Sequence, residues 1–138
     1  MKPAMLSIWV ILASAVLSCS LARADLVYEL TSAYHHIRVV DENGLRVLYF
    51  DDAPESEMSM QDPLRGHFEY TEYFHMAWLW NTQITNVLMV GLGAGTSQRA
   101  FEHYYPGVTV ETVEIDPMVL RVAKDYFKFT ESARQKVH

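Results

Sequence analysis

The stretch from Val87 to Thr96, VLMVGLGAGT, is a short apolar run that ends in three alternating glycines. An unbroken apolar run of this length is typical of a parallel strand buried on both faces. A glycine turn after such a strand lets the backbone approach a ligand where a Cβ would collide. The helix predicted next, to about Tyr105, would present unpaired N–H groups to a polar or anionic part of that ligand. The alternative is a tight strand-to-helix turn that binds nothing.

The pattern repeats downstream of this turn. Residues 108–115, VTVETVEI, are rich in β-branched side chains and predict a second parallel strand. Asp116 and Pro117 form an N-cap and N1 pair that begins a last helix, with one apolar face made by Val119, Leu120, Ala123 and Phe127. Residues 130–138 look like the approach to a third strand.

Two carboxylates, Glu114 and Asp116, lie 23 and 25 residues after Gly91, at the tip of the second strand. A carboxylate at that place can accept hydrogen bonds from both hydroxyls of a ribose. Strand, glycine turn, helix, strand and terminal acid within about 30 residues therefore predict a nucleoside ligand. Thr96 stands where the dinucleotide fingerprint G-x-G-x-x-G has its third glycine, and the spacing G-x-G-x-G is more usual for S-adenosylmethionine or a derivative than for NAD.

The region before the apolar run has a different hydrophobic period. Residues 26–50 predict a β-hairpin, because Asn43-Gly44 separates two runs rich in β-branched and aromatic residues. Residues 51–65 are polar with two prolines and predict a loop. A helix from about 63 to 81 is expected to begin at Asp62-Pro63 and to bury an aromatic stripe, with Phe68, Phe74, Ala77, Trp78 and Trp80 expected in the core.

The N-terminal residues have the features of an export signal. Lys2 precedes the apolar run Ala4–Leu17, and Ala22-Arg23-Ala24 is a signal-peptidase pattern, so residues 1–24 are expected to be a cleaved signal peptide and the mature protein secreted or periplasmic, without membrane attachment. Two alternatives remain: an uncleaved anchor over residues 4–22, and a lipoprotein attached at Cys19.

The composition limits the kinds of partner. The 138 residues carry 11 Lys+Arg and 17 Asp+Glu, a net charge of −6. Removal of residues 1–24 takes away Lys2 and Arg23 and no acid, which leaves 9 basic and 17 acidic side chains and a net charge of −8. Such a chain is not expected to bind nucleic acid. Cys19 is the only cysteine, and the six histidines lack metal-ligand spacing, so neither a disulfide nor a metal site is expected.

Several motifs together resemble the spermidine synthases, the polyamine aminopropyltransferases. Residues 87–95 together with residues 113–116 (VEID) are similar to that family's nucleoside loop and acid. Residues 32–39 (SAYHHIRV) are similar to its S-x-Y-Q-x-I-x-V strand. Residues 48–52 (LYFDD) are similar to its L-x-L-D-G motif, and residues 68–72 (FEYTE) to its F-x-Y-H/Q-E motif. The resemblance implies an α/β fold in which a small N-terminal β domain precedes the first β-α-β-α units of a Rossmann-like parallel sheet of the class I methyltransferase type.

The resemblance also implies organisation and chemistry. It divides the mature chain into an N-terminal β-hairpin region (25–62), a connecting helix (63–84) and a partial nucleoside-binding domain (85–138). The reaction would transfer an aminopropyl group from decarboxylated S-adenosylmethionine to a polyamine, without a metal. Members of that family often assemble through the β domain, so a homodimer is an alternative to a monomer.

Site residues follow from the resemblance position by position. It assigns Gly91, Leu92, Gly93, Gly95, Glu114 and His35 to the nucleoside site and Tyr70 to the amine channel. The family's general-base aspartate has no match here and is expected beyond His138, so the chain as given is expected to be an inactive part of a longer protein.

Three positions depart from that family's pattern. Ala94 stands in place of a loop aspartate, His35 in place of a glutamine and Thr71 in place of histidine or glutamine. These departures point to a divergent branch. They leave open an S-adenosylmethionine-dependent methyltransferase. The export signal favours a further alternative, an exported, non-catalytic module that binds nucleosides or polyamines.

Overall fold

The computed structural model describes residues 24–65 and 68–138. The predictions of a signal peptide, a membrane anchor or a lipid at Cys19 concern residues outside these ranges and stay predictions. None of the helices in the described ranges combines the length and the apolar character that crossing a membrane requires.

Four antiparallel strands form the first sheet, in the order β1 (Asp25–Thr31), β2 (His36–Glu42), β3 (Leu45–Phe50) and β4 (Ala53–Ser59). The predicted hairpin is confirmed between β2 and β3. Asn43 and Gly44 at its turn have φ angles of 53° and 79°. Two consecutive left-handed residues match the right-handed twist of the flanking strands, which is why Asn-Gly favours this turn.

The prediction of a loop over residues 51–65 is wrong, because β4 pairs with β3 in that region. Pro54 is tolerated because, among the described strands, β4 lies at the edge of its sheet, where an N–H is not needed for pairing. Only Met58 of this strand is fully buried. The strand is therefore mostly polar, and its sequence lacks the apolar alternation that identifies a half-buried strand.

The predicted long helix from 63 to 81 is also wrong in type and extent. Asp62 Oδ1 accepts from the Leu64 N–H at 3.1 Å, which closes a turn instead of beginning a helix. A 3-10 helix covers Glu69–Met76, and a single turn, α1, covers Ala77–Trp80. This segment buries little apolar surface, and a helix without a buried face is weakly stabilised.

The aromatic residues of this segment divide between core and surface. Trp78 is half-buried and stacks on Tyr105 with ring centroids 3.9 Å apart. Trp80 is 77% exposed and Phe74 43% exposed, so the expectation of a core position is wrong for both, as it is for the exposed Ala77.

Three parallel strands form the second sheet, in the order β5 (Asn86–Val90), β6 (Thr109–Val113) and β7 (Gln135–Val137). The crossover helices are α2 (Thr96–Tyr104) and α3 (Pro117–Tyr126). The predicted β-α-β-α order and the third strand are confirmed. The N-cap prediction is confirmed too, because Asp116 Oδ1 accepts from the Met118 N–H at 2.9 Å.

The expectation that β5 is buried on both faces is wrong for the described residues. Val87 and Met89 pack against a small core around Phe101, whereas Leu88 and Val90 are 70% and 88% exposed. The helices described here cover one face of the parallel sheet, so the apolar run of β5 has one face in solvent.

The two sheets share the larger hydrophobic core. Its buried members come from β2, β3, β4, the glycine turn and the α3 region, namely Ile37, Val39, Leu48, Met58, Leu92, Ala94, Val119, Val122, Ala123, Phe127 and Phe129. Ser32 Oγ, in the turn between β1 and β2, also donates to Asp116 Oδ2. This hydrogen bond holds the antiparallel sheet directly against the start of α3.

Candidate functional site

A cavity of about 1070 Å³ lies where the antiparallel sheet meets the carboxyl end of β5. Its wall combines β4, the glycine turn, the first turn of α2 and the 3-10 helix. In open parallel sheets, ligands bind outside the carboxyl ends of the strands. The cavity therefore occupies the place where the sequence predicts a ligand.

The three glycines of the turn have different surroundings. Gly91, Gly93 and Gly95 have φ angles of 91°, 56° and 69°, which favour glycine. A Cβ built on Gly93 would lie 2.6 Å from Ser56 Oγ, and one on Gly95 would lie 2.5 Å from the ring of Phe129. A Cβ on Gly91 would meet no atom within 4 Å. Gly91 and Gly93 line the cavity, while Gly95 lies outside its wall and packs on Phe129.

The carboxylate of Glu114 lies in the cavity wall and contacts the glycine turn. Oε2 accepts from the Leu92 N–H at 2.8 Å, and Oε1 accepts from the Asp116 N–H at 2.9 Å. Asp116 is only 1% exposed and is occupied as the N-cap of α3. Of the two carboxylates that the sequence places at the tip of β6, Glu114 therefore faces the cavity and Asp116 serves the fold.

Two buried polar residues of α2 hold the turn from behind. Gln98 Nε2 donates to the carbonyl of Gly91 at 3.2 Å. Arg99 Nη1 donates to the carbonyls of Ala94 and Phe127, each at 2.7 Å. Burial lowers the pKa of Arg99 to about 10. Neither residue could be identified from the sequence, because polar side chains at the start of a helix are typical of a solvated surface.

The aromatic part of the wall comes from both sides of the cavity. The rings of His35 and Phe50 stack with centroids 4.3 Å apart and an interplanar angle of 8°. Tyr70, in the 3-10 helix, is half-exposed and packs edge to face with Phe74 at 6.1 Å. All four side chains line the cavity. The structure therefore brings together six of the seven predicted site residues and leaves Gly95 outside.

The charges in the wall are all negative. Among the described residues, five carboxylates and no lysine or arginine line the cavity; the carboxylates are Asp51, Asp52, Glu55, Glu57 and Glu114. Two of them, Glu55 and Glu57, come from β4, where the sequence predicts a loop. Such a wall attracts a cationic ligand and disfavours an anionic one.

The described residues contain no group of three or more histidine, cysteine, aspartate or glutamate side chains arranged to hold a metal ion. The arrangement present at the cavity is instead a bare backbone turn, a carboxylate at a strand tip and two stacked rings. These are groups that recognise a ribose and a base.

No protein-family model matches this chain. The chain is 31% identical over 124 residues to the polyamine aminopropyltransferase of Vibrio vulnificus (strain CMCP6), covering 86% of this chain and 42% of the relative. It is 49% identical over 53 residues to the eEF1A lysine and N-terminal methyltransferase of Xenopus laevis, covering 38% of this chain and 8% of the relative.

Among solved structures, a spermidine synthase in complex with the transition state analogue AdoDATO matches with a TM-score of 0.67 and 21% identity, over 82% of this chain and 39% of that one. This match shows the predicted α/β fold, an antiparallel sheet followed by a Rossmann-like parallel sheet. The chain spans 42% of the length of the Vibrio relative, which it resembles along most of its own length.

Proposed function

We propose, from this similarity to polyamine aminopropyltransferases, that the cavity binds the adenosyl part of decarboxylated S-adenosylmethionine and that the protein transfers its aminopropyl group to a polyamine. The observation that carries the proposal is the pairing of the Gly91–Gly95 turn with the Glu114 carboxylate in a wall whose charges are all negative.

The nucleoside part is supported by the geometry of the turn. A carboxylate has about four acceptor sites, and Glu114 uses two of them for backbone N–H groups. The remaining sites are available to two ribose hydroxyls. The open space in front of Gly91 allows a nucleoside to approach the backbone, and the stacked His35 and Phe50 rings offer an aromatic wall.

The cationic part is supported by the charge of the wall. The proposed donor carries a sulfonium and an ammonium group, and a polyamine acceptor is a cation in water. In the transfer, a neutral amine nitrogen attacks the carbon beside the sulfonium, the carbon–sulfur bond breaks with its electron pair on sulfur, and 5′-methylthioadenosine leaves. The amine proton passes to a base. Tyr70 and the carboxylates of the wall would hold the acceptor in line.

Calorimetry with three ligands tests this proposal. We expect the purified protein to bind 5′-methylthioadenosine, and to bind decarboxylated S-adenosylmethionine more tightly than S-adenosylmethionine, because the latter adds a carboxylate to a negative cavity. No binding of 5′-methylthioadenosine would overturn the nucleoside site. Tighter binding of S-adenosylmethionine would replace the proposal with a methyltransferase, the activity named for the Xenopus relative.

A further inference from the structure

The glycine turn supplies no charged side chain to the cavity. Its two residues with side chains, Leu92 and Ala94, are 6% and 0% exposed and belong to the hydrophobic core. Glu114 is engaged by the backbone of the turn and stands at the nucleoside end. A positive charge at the other end of the ligand must therefore find its counter-charge elsewhere in the wall.

Strand β4 passes directly over the turn. Ser56 Oγ accepts from the Ala94 N–H at 3.2 Å, and the missing Cβ of Gly93 leaves just enough room for the same oxygen. The residues next to Ser56 are thus one step along the chain from a direct contact between the antiparallel sheet and the glycine turn. Glu55 and Glu57 are those neighbours, and both line the cavity.

A β-bulge distinguishes Glu55 from the other wall carboxylates. Leu48 pairs with Ser56 and the next residue of β3, Tyr49, pairs with Pro54, so Glu55 has no cross-strand partner. Bulges bend a strand and redirect a side chain, and they are frequent beside active sites. Within residues 24–65 and 68–138, the carboxylate of Glu55 makes no hydrogen bond or ion pair, and the residue is exposed.

The remaining β-sheet carboxylates in the wall are already engaged within the chain. Asp51 Oδ1 accepts from the His36 N–H at 3.2 Å, and Asp52 lies 3.4 Å from the guanidinium of Arg38. Glu57 also has an interaction within the chain. Glu55 is therefore the carboxylate that a ligand can recruit without breaking a contact of the fold.

We propose that Glu55 is a specificity-determining residue, whose carboxylate pairs with the ammonium group at the end of the ligand's aminopropyl chain and disfavours a ligand that carries a carboxylate there. The inference rests on the proposed function, since it names the partner of one part of that ligand. It assigns nucleoside recognition to the glycine turn and Glu114, and donor selection to the bulge of β4.

The substitution Glu55→Gln tests the proposal because it removes the charge and keeps the shape. Glu29→Gln, on exposed β1 of the same sheet, is the matched control for net charge. Calorimetry on both variants and on the unchanged protein would use 5′-methylthioadenosine, decarboxylated S-adenosylmethionine and S-adenosylmethionine. We expect Glu55→Gln to lower the affinity for decarboxylated S-adenosylmethionine by roughly tenfold or more, which is the size expected for the loss of a charge-assisted hydrogen bond.

The other two ligands give the decisive comparison. The affinity of Glu55→Gln for 5′-methylthioadenosine, which has no ammonium group, should stay within about twofold, and the preference over S-adenosylmethionine should shrink. If Glu55→Gln lowered the affinities for 5′-methylthioadenosine and for the donor equally, the proposal would be overturned, because Glu55 would then stabilise the fold and not bind the ammonium group. An unchanged affinity for the donor would overturn it as well. Failure of the unchanged protein to bind 5′-methylthioadenosine is a different result, which rejects the proposed function itself.

Discussion

Glu114 and Leu92 are 22 residues apart in the sequence, and the carboxylate of the first accepts a hydrogen bond from the N–H of the second at 2.8 Å. The second oxygen of the same carboxylate accepts from the Asp116 N–H. One side chain at the tip of β6 thus holds the glycine turn that follows β5. The carboxylate of Glu114 therefore stabilises the conformation of the turn before any ligand is bound.

The substitution Glu114→Gln should therefore impair nucleoside binding. The amide presents an NH₂ donor where the carboxylate offered an acceptor, so one backbone N–H loses its partner, which costs about 1–3 kcal/mol. We expect the affinity for 5′-methylthioadenosine, measured by calorimetry, to fall by about tenfold or more. Glu111→Gln is the matched control on the same strand, since Glu111 is exposed and lies 3.1 Å from His138. Similar affinities for the two variants would contradict a role for Glu114 in the site.

Gly91 offers a test of close approach between backbone and ligand. Gly91→Ala and Gly44→Ala both place a Cβ on a left-handed residue with no atom within 4 Å, so each should cost about 1–2 kcal/mol of folding free energy. Because Gly91 alone of the two lines the cavity, we expect only Gly91→Ala to weaken binding of 5′-methylthioadenosine as well. Denaturant unfolding and calorimetry on both variants measure the two effects separately. Full affinity in a folded Gly91→Ala variant would show that the ligand does not approach this backbone.

Arg99 should contribute more to stability than an exposed arginine of the same chain. Arg99→Met leaves the carbonyls of Ala94 and Phe127 without their donor, so we expect a loss of about 2–4 kcal/mol in urea unfolding. Arg121→Met, which removes an exposed pair with Asp125, should stay within about 0.5 kcal/mol. Equal losses for the two variants would mean that the carbonyls find other partners.

Low pH should weaken the contacts of Glu131 with Lys124 and with the Val137 N–H, which help to stabilise β7. The Lys124 ammonium, followed by the Val137 N–H, holds the pKa of Glu131 below its ordinary value of 4.5. A lowered carboxylate pKa stabilises the fold above the ordinary value, and this stability is lost as the pH falls through the folded value. Because the pair is partly exposed, Lys124→Met should cost only about 0.3–0.5 kcal/mol at pH 7 and less than that at pH 2. Urea midpoints at the two pH values measure this, and a larger difference at pH 2 would contradict the assignment.

The sequence predicted those elements whose signal is local. Asn43-Gly44 at the hairpin turn and Asp116-Pro117 at the start of α3 need only their own backbone geometry, and both are found as predicted. Strand β4 could not be identified in this way, because it depends on pairing with β3 and on one buried side chain, Met58. Neither pairing nor burial of a polar strand is visible in the pattern of its own residues.

The same reason explains why Glu55 and Arg99 could not be identified as site residues from the sequence. Gly91 and Glu114 stand at motif positions and could be named from spacing. Glu55 enters the cavity through a bulge, and Arg99 holds the turn from a buried helix start. Both roles depend on contacts between segments that are distant in the sequence, 38 residues apart for Ser56 and Ala94 and 28 residues apart for Arg99 and Phe127, which a single sequence does not display.

One face of the parallel sheet is not covered by any of the described residues, and this affects how the polypeptide behaves in concentrated solution. Leu88, Val90 and Ile115 are 70%, 88% and 68% exposed, and they come from neighbouring parallel strands and the residues just beyond them. An exposed apolar surface of this kind associates with other apolar surfaces and binds hydrophobic dyes. We therefore expect self-association through this face to limit the concentration at which the polypeptide stays in solution, and a polar residue in place of Val90 should raise that limit.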